Sequence, residues 1–191
     1  PGSPLSSGRT FGGGSAWVAK FTVSRNEVIE QVKLDFAVAT KGTYRVVIFP
    51  DAGGMPSSMP IYIDPSDRFI AEAGPVTITL PQPVFVPPGS FYMGLQQTSI
   101  EDVFSSFENE IPLRRGTFFA TPFLSPPEWT DISPTSHKLK CGVVVRDAEG
   151  HRPELPVACR RDHADGIGEQ PRRLVDRVHQ AAEIGVDHRD V

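Results

Sequence analysis

The stretch "VPPGSFYMGLQQTS", residues 86–99, decides the fold class of this chain. Two prolines and a glycine interrupt the backbone near its start, and apolar residues then alternate with other residues. Successive side chains of a β-strand point to opposite faces of a sheet. The inner face therefore receives Phe91, Met93 and Leu95. The outer face receives Tyr92, Gly94 and Gln96, and we expect it to be exposed to solvent, as in antiparallel sheets with one buried face.

The same period of two residues recurs along the chain on both sides of this stretch. The segments are "AWVAKFTV" (16–23), "VIEQVKLDFAVA" (28–39), "TYRVVIF" (43–49), "VTITL" (76–80) and "KLKCGVVV" (138–145). The alternation predicts one shared core that contains Phe21, Leu34, Phe36, Val46, Ile48, Ile78, Phe91, Met93, Leu95 and Val143. It also places Val38 and Val76 on inner faces.

Turn signals separate these segments. The chain has 191 residues, of which 19 are proline and 17 are glycine, a share that favours turns over long helices. Short strands with turns between them, and no clear helix among them, predict two antiparallel sheets packed face to face. We therefore predict an all-β, jelly-roll-like antiparallel β-sandwich over residues 15–146, with residues 1–14 as an N-terminal linker segment.

The last 45 residues, 147–191, differ in composition from the rest. They contain no Phe, Trp, Tyr or Lys, but seven Arg and four of the five His. Such a segment buries too little apolar surface to offset the entropy lost on ordering. We expect a disordered or weakly helical tail, either a charged linker or an extension without a selected function.

Charge and composition limit the partners that the chain can have. The net charge of −4 offers no basic surface for nucleic acid, and no apolar run approaches the ~20 residues that span a bilayer. The two cysteines do not make a disulfide framework, and Cys141 lies among apolar strand residues, which favours a small buried side chain.

The order of the segments resembles that of accessory β-sandwich domains in secreted bacterial multidomain proteins. The matching pieces are "AKFTV", "VIEQVKLDFA", "YRVVIFPDAGGMPSS", "VTITLPQPVFVPPGSFYMGLQQTS", the single Trp in "PPEWTDI" and "LKCGVVV". The resemblance covers about residues 15–146, and Ser57 stands where such domains usually carry Gly. It implies an extracellular or cell-surface module without catalytic activity, joined to neighbouring domains of a larger parent chain.

The residues themselves give no catalytic constellation. "GGGSAW" lacks the closing Gly of a nucleophile elbow, His137 has no second His in the predicted domain, and no H-E-x-x-H motif is present. Glu108 and Glu110 have the spacing of two residues on one strand face, but they are expected to be solvated rather than buried. The chain is predicted not to be an enzyme.

Two kinds of ligand fit the remaining residues. A structural calcium ion could use Asp51, or Asp64 with Asp67, although no EF-hand-type loop is present and no other cofactor is expected. A glycan or a cell-surface protein could contact Trp129, Tyr92 and Gln96, whereas Trp129 would otherwise plug the end of the sandwich. The predicted function is a spacer or protein-interaction module, with a carbohydrate-binding module as the alternative and a glycosidase as a weaker one.

Overall fold

The computed structural model describes residues 12–109, 115–133 and 137–147. The strands in this part of the chain are β1 (Ala16–Val23), β2 (Glu27–Phe36), β3 (Thr40–Pro50), β4 (Tyr62–Ile63), β5 (Arg68–Ile70), β6 (Gly74–Val86), β7 (Gly89–Gln97), β8 (Phe107–Asn109), β9 (Phe118–Thr121), β10 (Thr130–Asp131), β11 (His137–Leu139) and β12 (Cys141–Asp147). Within these residues no helix is long and apolar enough to cross a membrane.

Seven strands form the larger sheet. Its order is β10-β9-β1-β7-β3, and both β4 and β5 pair with the far side of β3. Every pairing is antiparallel, and Leu95 of β7 lies between Trp17 of β1 and Val46 of β3. The stretch around β7 is therefore the central strand of this sheet.

The second layer is built around β2. Strand β2 lies between β12 and β6, and β8 pairs with β11. A bridge between Phe36 and Ser105 joins the segment before β8 to the end of β2, and only Lys140 separates β11 from β12. The short β8–β11 pair thus continues the second layer beyond the end of β2.

One hydrophobic core fills the space between the layers. All ten predicted core residues belong to it, together with Trp17, whose Nε1 donates a hydrogen bond across the layers to Ser105 Oγ at 2.9 Å. Cys141 is partly buried against this core, as expected for a small apolar side chain. The predicted fold class, a jelly-roll-like antiparallel β-sandwich, is confirmed.

The period of two residues fails at two predicted inner positions. Val38 is exposed because β2 ends at Phe36, after which Ala37 N bonds to Phe104 O at 2.9 Å instead of continuing the strand. Val76 is partly exposed because β6, within the described residues, pairs on one side only and forms the edge of its sheet.

Ordered strand pairing reaches both ends of the described residues. Gly14 N donates a hydrogen bond to Gln97 O at 3.0 Å, and Asp147 is the last residue of β12. The predictions for residues 1–11 and for the tail after Asp147 lie outside the described residues.

Candidate functional site

The outer face of the larger sheet carries a second, smaller hydrophobic cluster. Its buried members are Val18, Val47, Phe49, Tyr92 and Phe119, and Leu124 and Trp129 are partly buried against them. The five buried members occupy the alternate positions of β1, β3, β7 and β9, which face away from the main core. Half of this outer face is therefore a core of its own rather than a surface.

Two loops cover this second cluster, and we call residues 51–61 and 122–129 the covering loops. The Trp129 ring contacts Phe49 edge-on with 5.0 Å between centroids, and its Nε1 donates to Ser57 O at 3.0 Å. Asp51 Oδ2 accepts from Gly54 N at 3.1 Å and closes the turn in the first loop. Trp129 thus holds the two loops together above the sheet.

Tyr92 does not face solvent, and the prediction that it does is wrong. The alternation placed it correctly on the face opposite Met93, but the residue is 0% exposed because the covering loops close over that face. Its hydroxyl donates to Asp51 Oδ1 at 2.9 Å, and its ring meets Phe119 edge-on. Burial, together with the hydrogen bond to Asp51, raises the pKa of Tyr92 above its ordinary value, so the phenol stays neutral.

Trp129 packs within the second cluster instead of standing free on the surface. Its ring is partly buried against the second cluster, and its indole N–H is bonded to the other covering loop. The structure agrees with the alternative that Trp129 is a plug, although it closes the outer face of the larger sheet rather than one end of the sandwich.

The other half of the same outer face is not covered by the loops, and we call it the open surface. It consists of Thr43, Arg45, Asp67, Phe69 and Gln96. Arg45 and Gln96 are cross-strand partners on β3 and β7, and Thr43 and Phe69 are partners on β3 and β5. Partners in an antiparallel pair share a face with about 5 Å between their Cβ atoms. The register therefore brings these residues together.

Phe69 supplies the aromatic ring of this open surface. Its side chain is 72% exposed, and β5 holds it against β3. Arg45 Nε donates to Asp67 Oδ1 at 2.6 Å, and both of these side chains remain partly exposed. Gln96, predicted as a ligand-binding residue, is partly buried beside Arg45, and its amide can both donate and accept hydrogen bonds.

This arrangement suits a ligand with one apolar side and several hydroxyl groups. An exposed aromatic ring offers an apolar plane, while Arg45 donates, Asp67 accepts and Gln96 does both. The strands fix the spacing of these groups, so little ordering is needed when a ligand binds.

The carboxylates considered for calcium are bonded to protein donors. Asp64 is buried and accepts from Tyr62 Oη at 2.7 Å, from Arg68 Nη2 at 3.1 Å and from Arg68 Nε. Burial alone would raise the pKa of Asp64, but the hydrogen bonds from Arg68 and Tyr62 outweigh burial and hold that pKa below its usual value. A cation at Asp64 would have to displace the Arg68 guanidinium.

Each carboxylate of the two alternative calcium predictions, Asp51 or Asp64 with Asp67, has a protein donor. Asp51 bonds to Tyr92, Asp64 bonds to Arg68, and Asp67 bonds to Arg45. Within the ranges that the structure describes, no three His, Cys, Asp or Glu side chains are grouped so that they could hold a metal ion. Structural calcium remains a prediction that these contacts do not support.

Two of the residues weighed for catalysis, Glu108 and His137, lie on β8 and β11. Strand β8 pairs with β11 so that Lys138 lies opposite Glu108 and His137 lies opposite Asn109. The side chains of Glu108 and His137, and the whole of Glu110, are outside the described residues.

Fold and surface together define an antiparallel β-sandwich module with a polar, aromatic-bearing sheet face. No family model and no curated protein sequence matches the chain. Among solved structures it is similar to the cysteine protease and lectin-like domains of Cwp84, a surface layer associated protein of Clostridium difficile, with 12% identity and a TM-score of 0.58. That likeness covers 71% of this chain and 33% of the other.

A second similar structure is the clostridial cysteine protease Cwp84 after propeptide cleavage. It has 12% identity and a TM-score of 0.58, with 76% of this chain and 38% of the other covered. The chain thus spans between 33% and 38% of the length of these proteins, and the matched part is the lectin-like portion rather than the catalytic domain. At this identity the likeness shows the fold alone.

Proposed function

We propose that this chain is a non-catalytic accessory module of an extracellular or cell-surface protein, and that it binds carbohydrate through the open surface. The observation that carries the proposal is the exposed Phe69 ring, held on a sheet beside the Arg45–Asp67 pair and Gln96. The lectin-like portion of a surface-layer associated protein, which shares the fold, supports this function.

Binding fits this surface better than glycoside hydrolysis does. Hydrolysis needs two carboxyl groups on either side of the scissile bond, and one of them must have a raised pKa. Asp67 is paired with Arg45, whereas Asp64 is buried, bonded to Arg68, and has a lowered pKa. Neither carboxyl group is placed to act as a general acid.

The decisive experiment is a binding measurement with an exposed-aromatic control. We expect Phe69→Ala to weaken binding of a soluble polysaccharide by roughly tenfold or more, because stacking on the ring is lost. The matched control is Phe85→Ala on β6, where the ring is 54% exposed but belongs to the other sheet. Affinity electrophoresis identifies the polysaccharides bound, and titration calorimetry then compares the variants. Equal loss in both variants, or no loss in Phe69→Ala, would refute the proposed site.

The covering loops favour protein interaction as a second candidate function. Residues 52–63 and 116–127 contain no Asp, Glu, Lys or Arg, although 22% of the whole chain is charged. Met55, Met59, Ile61 and Phe123 in these loops are exposed, with Met59 at 75%. Only Asp51 and Glu128, at the ends of the covering loops, are charged, and a surface with few charges and exposed Met and aromatic side chains is typical of the centre of a protein–protein interface.

This second function is tested separately from sugar binding. The chain is titrated with separately produced neighbouring domains of its parent protein, and Met59→Glu is expected to abolish any heat of binding. Ile100→Glu is the control, because Ile100 is exposed in a different loop. A complex that survives Met59→Glu, or is lost equally in Ile100→Glu, would exclude the covering loops as the interface.

A further inference from the structure

We infer that the open surface selects uncharged sugars with neighbouring hydroxyl groups and rejects anionic sugars, because Asp67 neutralises Arg45. The inference rests on the proposed carbohydrate-binding function and names the class of ligand. It depends on the charge balance of the surface rather than on the aromatic ring.

The charge balance follows from two arginine–aspartate pairs. Arg45 Nε lies 2.6 Å from Asp67 Oδ1, and Arg68, the residue before Phe69, is bonded to the buried Asp64. Arg45 is therefore paired on the face that carries the ring, whereas Arg68, whose register partner Tyr44 belongs to the main core, lies on the opposite face with its own carboxylate. A sugar carboxylate or sulfate would meet Asp67 as well as Arg45, so repulsion would offset the attraction.

The same pair is well suited to two adjacent hydroxyl groups. A guanidinium has five N–H donors and a carboxylate has two acceptor oxygens, so one bond between Arg45 and Asp67 leaves capacity on both. One sugar hydroxyl can donate to Asp67 while its neighbour accepts from Arg45, and hydrogen bonds to charged groups are the stronger kind. Gln96, opposite Arg45 in the register, offers a third contact, and Phe69 offers the apolar plane.

The Arg45–Asp67 pair also determines how the affinity for sugar should depend on salt concentration. Binding of a neutral sugar releases no counterions and changes no net charge. Its affinity should therefore change less than about twofold between about 0.05 and 0.5 M salt, a range over which screening of exposed charges increases greatly. Binding of an anionic sugar at this surface would instead weaken steeply.

The experiment compares one neutral and one anionic polysaccharide, galactomannan and alginate, against the 191-residue chain and two variants. The unchanged chain is expected to bind the neutral polymer only. Asp67→Asn removes the negative charge while keeping the size of the side chain, so it should weaken neutral binding roughly tenfold or more and create salt-sensitive binding of alginate. Glu128→Gln is the matched control, since it removes one exposed negative charge from a covering loop and should change neither affinity.

The outcomes separate the two proposals. If the unchanged chain prefers alginate and Phe69→Ala no longer binds it, the proposed carbohydrate-binding function stands but the proposed specificity for uncharged sugars is wrong. Unchanged affinities in Asp67→Asn would also overturn it, and Arg45→Gln checks that result because it removes the other half of the pair. Binding of neither polymer, nor of any in a wider panel, would refute the carbohydrate function itself.

Discussion

The buried position of Tyr92 leads to a stability prediction that separates the structure from the simple alternation of its strand. A residue on a solvent-exposed sheet face contributes little, so Tyr92→Ala would then change the free energy of unfolding by about 0.5 kcal/mol or less. In the structure the ring is fully buried and packs edge-on against Phe119. Truncation of a large buried aromatic side chain costs about 3–5 kcal/mol, which is a large part of the roughly 5–15 kcal/mol that stabilises a domain.

A second variant separates the ring of Tyr92 from its hydroxyl group. Tyr92→Phe keeps the packing and removes only the 2.9 Å hydrogen bond to Asp51. Because Asp51 is exposed and water can replace the lost donor, we expect a cost of about 1 kcal/mol. Phe85→Ala, at an exposed ring on the other sheet, is expected to cost no more than about 0.5 kcal/mol.

The assay is equilibrium unfolding in urea at neutral pH. Far-ultraviolet circular dichroism follows the strands, while the fluorescence of Trp17 and Trp129 follows the main core and the covering loops. Coincident transitions justify a two-state treatment, and equal denaturant slopes allow the free energies of the variants to be compared. A Tyr92→Ala variant within about 0.5 kcal/mol of the unchanged chain would contradict the second cluster and restore the solvent-exposed face.

Two further predictions follow from the buried polar groups and the covering loops. Burial raises the pKa of Tyr44 to about 12, and the pKa values of Tyr62 and Tyr92 are raised as well. Because these pKa values are raised in the folded state, the unfolded chain loses the tyrosine protons first as the pH rises. The free energy of unfolding should therefore be fully maintained below about pH 10 and should fall as the pH rises towards about 12. A free energy of unfolding that stays constant over this range in urea titrations would contradict this. Trp129→Ala should lower the free energy of unfolding by about 2–4 kcal/mol, less than for a fully buried ring, because Trp129 is only partly buried. Polysaccharide binding at the open surface should stay unchanged. A loss of binding without a loss of stability would show that Trp129 contacts the ligand.

The fold could be predicted from the sequence because the residues of its main core alternate regularly along each strand. Phe91, Met93 and Leu95 all face the core, and the neighbouring strands β1 and β3 place their own alternate residues opposite them. A period of two residues needs no knowledge of strand order, so the inner faces can be assigned before the sheets are known.

The second cluster was missed because the outer face was assumed to be exposed. The sequence held a signal against that assumption. "VVIF" at 46–49 and "FFA" at 118–120 are continuous apolar runs, which are typical of strands buried on both faces. The structure buries every residue of both runs, four of them in the main core and three in the second cluster under the covering loops.

The open surface could be predicted only in part. Gln96 was identified from its own strand, but Arg45 and Phe69 become its neighbours only through the register of β3 with β7 and β5. Strand β5 has three residues, too few for a period, and the register of β3 with β5 shifts between Thr40 and Thr43. One sequence contains no information on that shift.

Strand β6 has a consequence for how this module behaves at high concentration. It runs for 13 residues along the edge of the second layer, and within the described part of the chain only β2 pairs with it. A long edge of this kind can accept a strand from another molecule and so start aggregation. Pro75, Pro81 and Pro83 each remove a backbone donor from this edge, and a row of strand hydrogen bonds cannot be completed across them. The prolines therefore protect the colloidal stability of the protein rather than its folding, and they keep crowded copies from joining edge to edge.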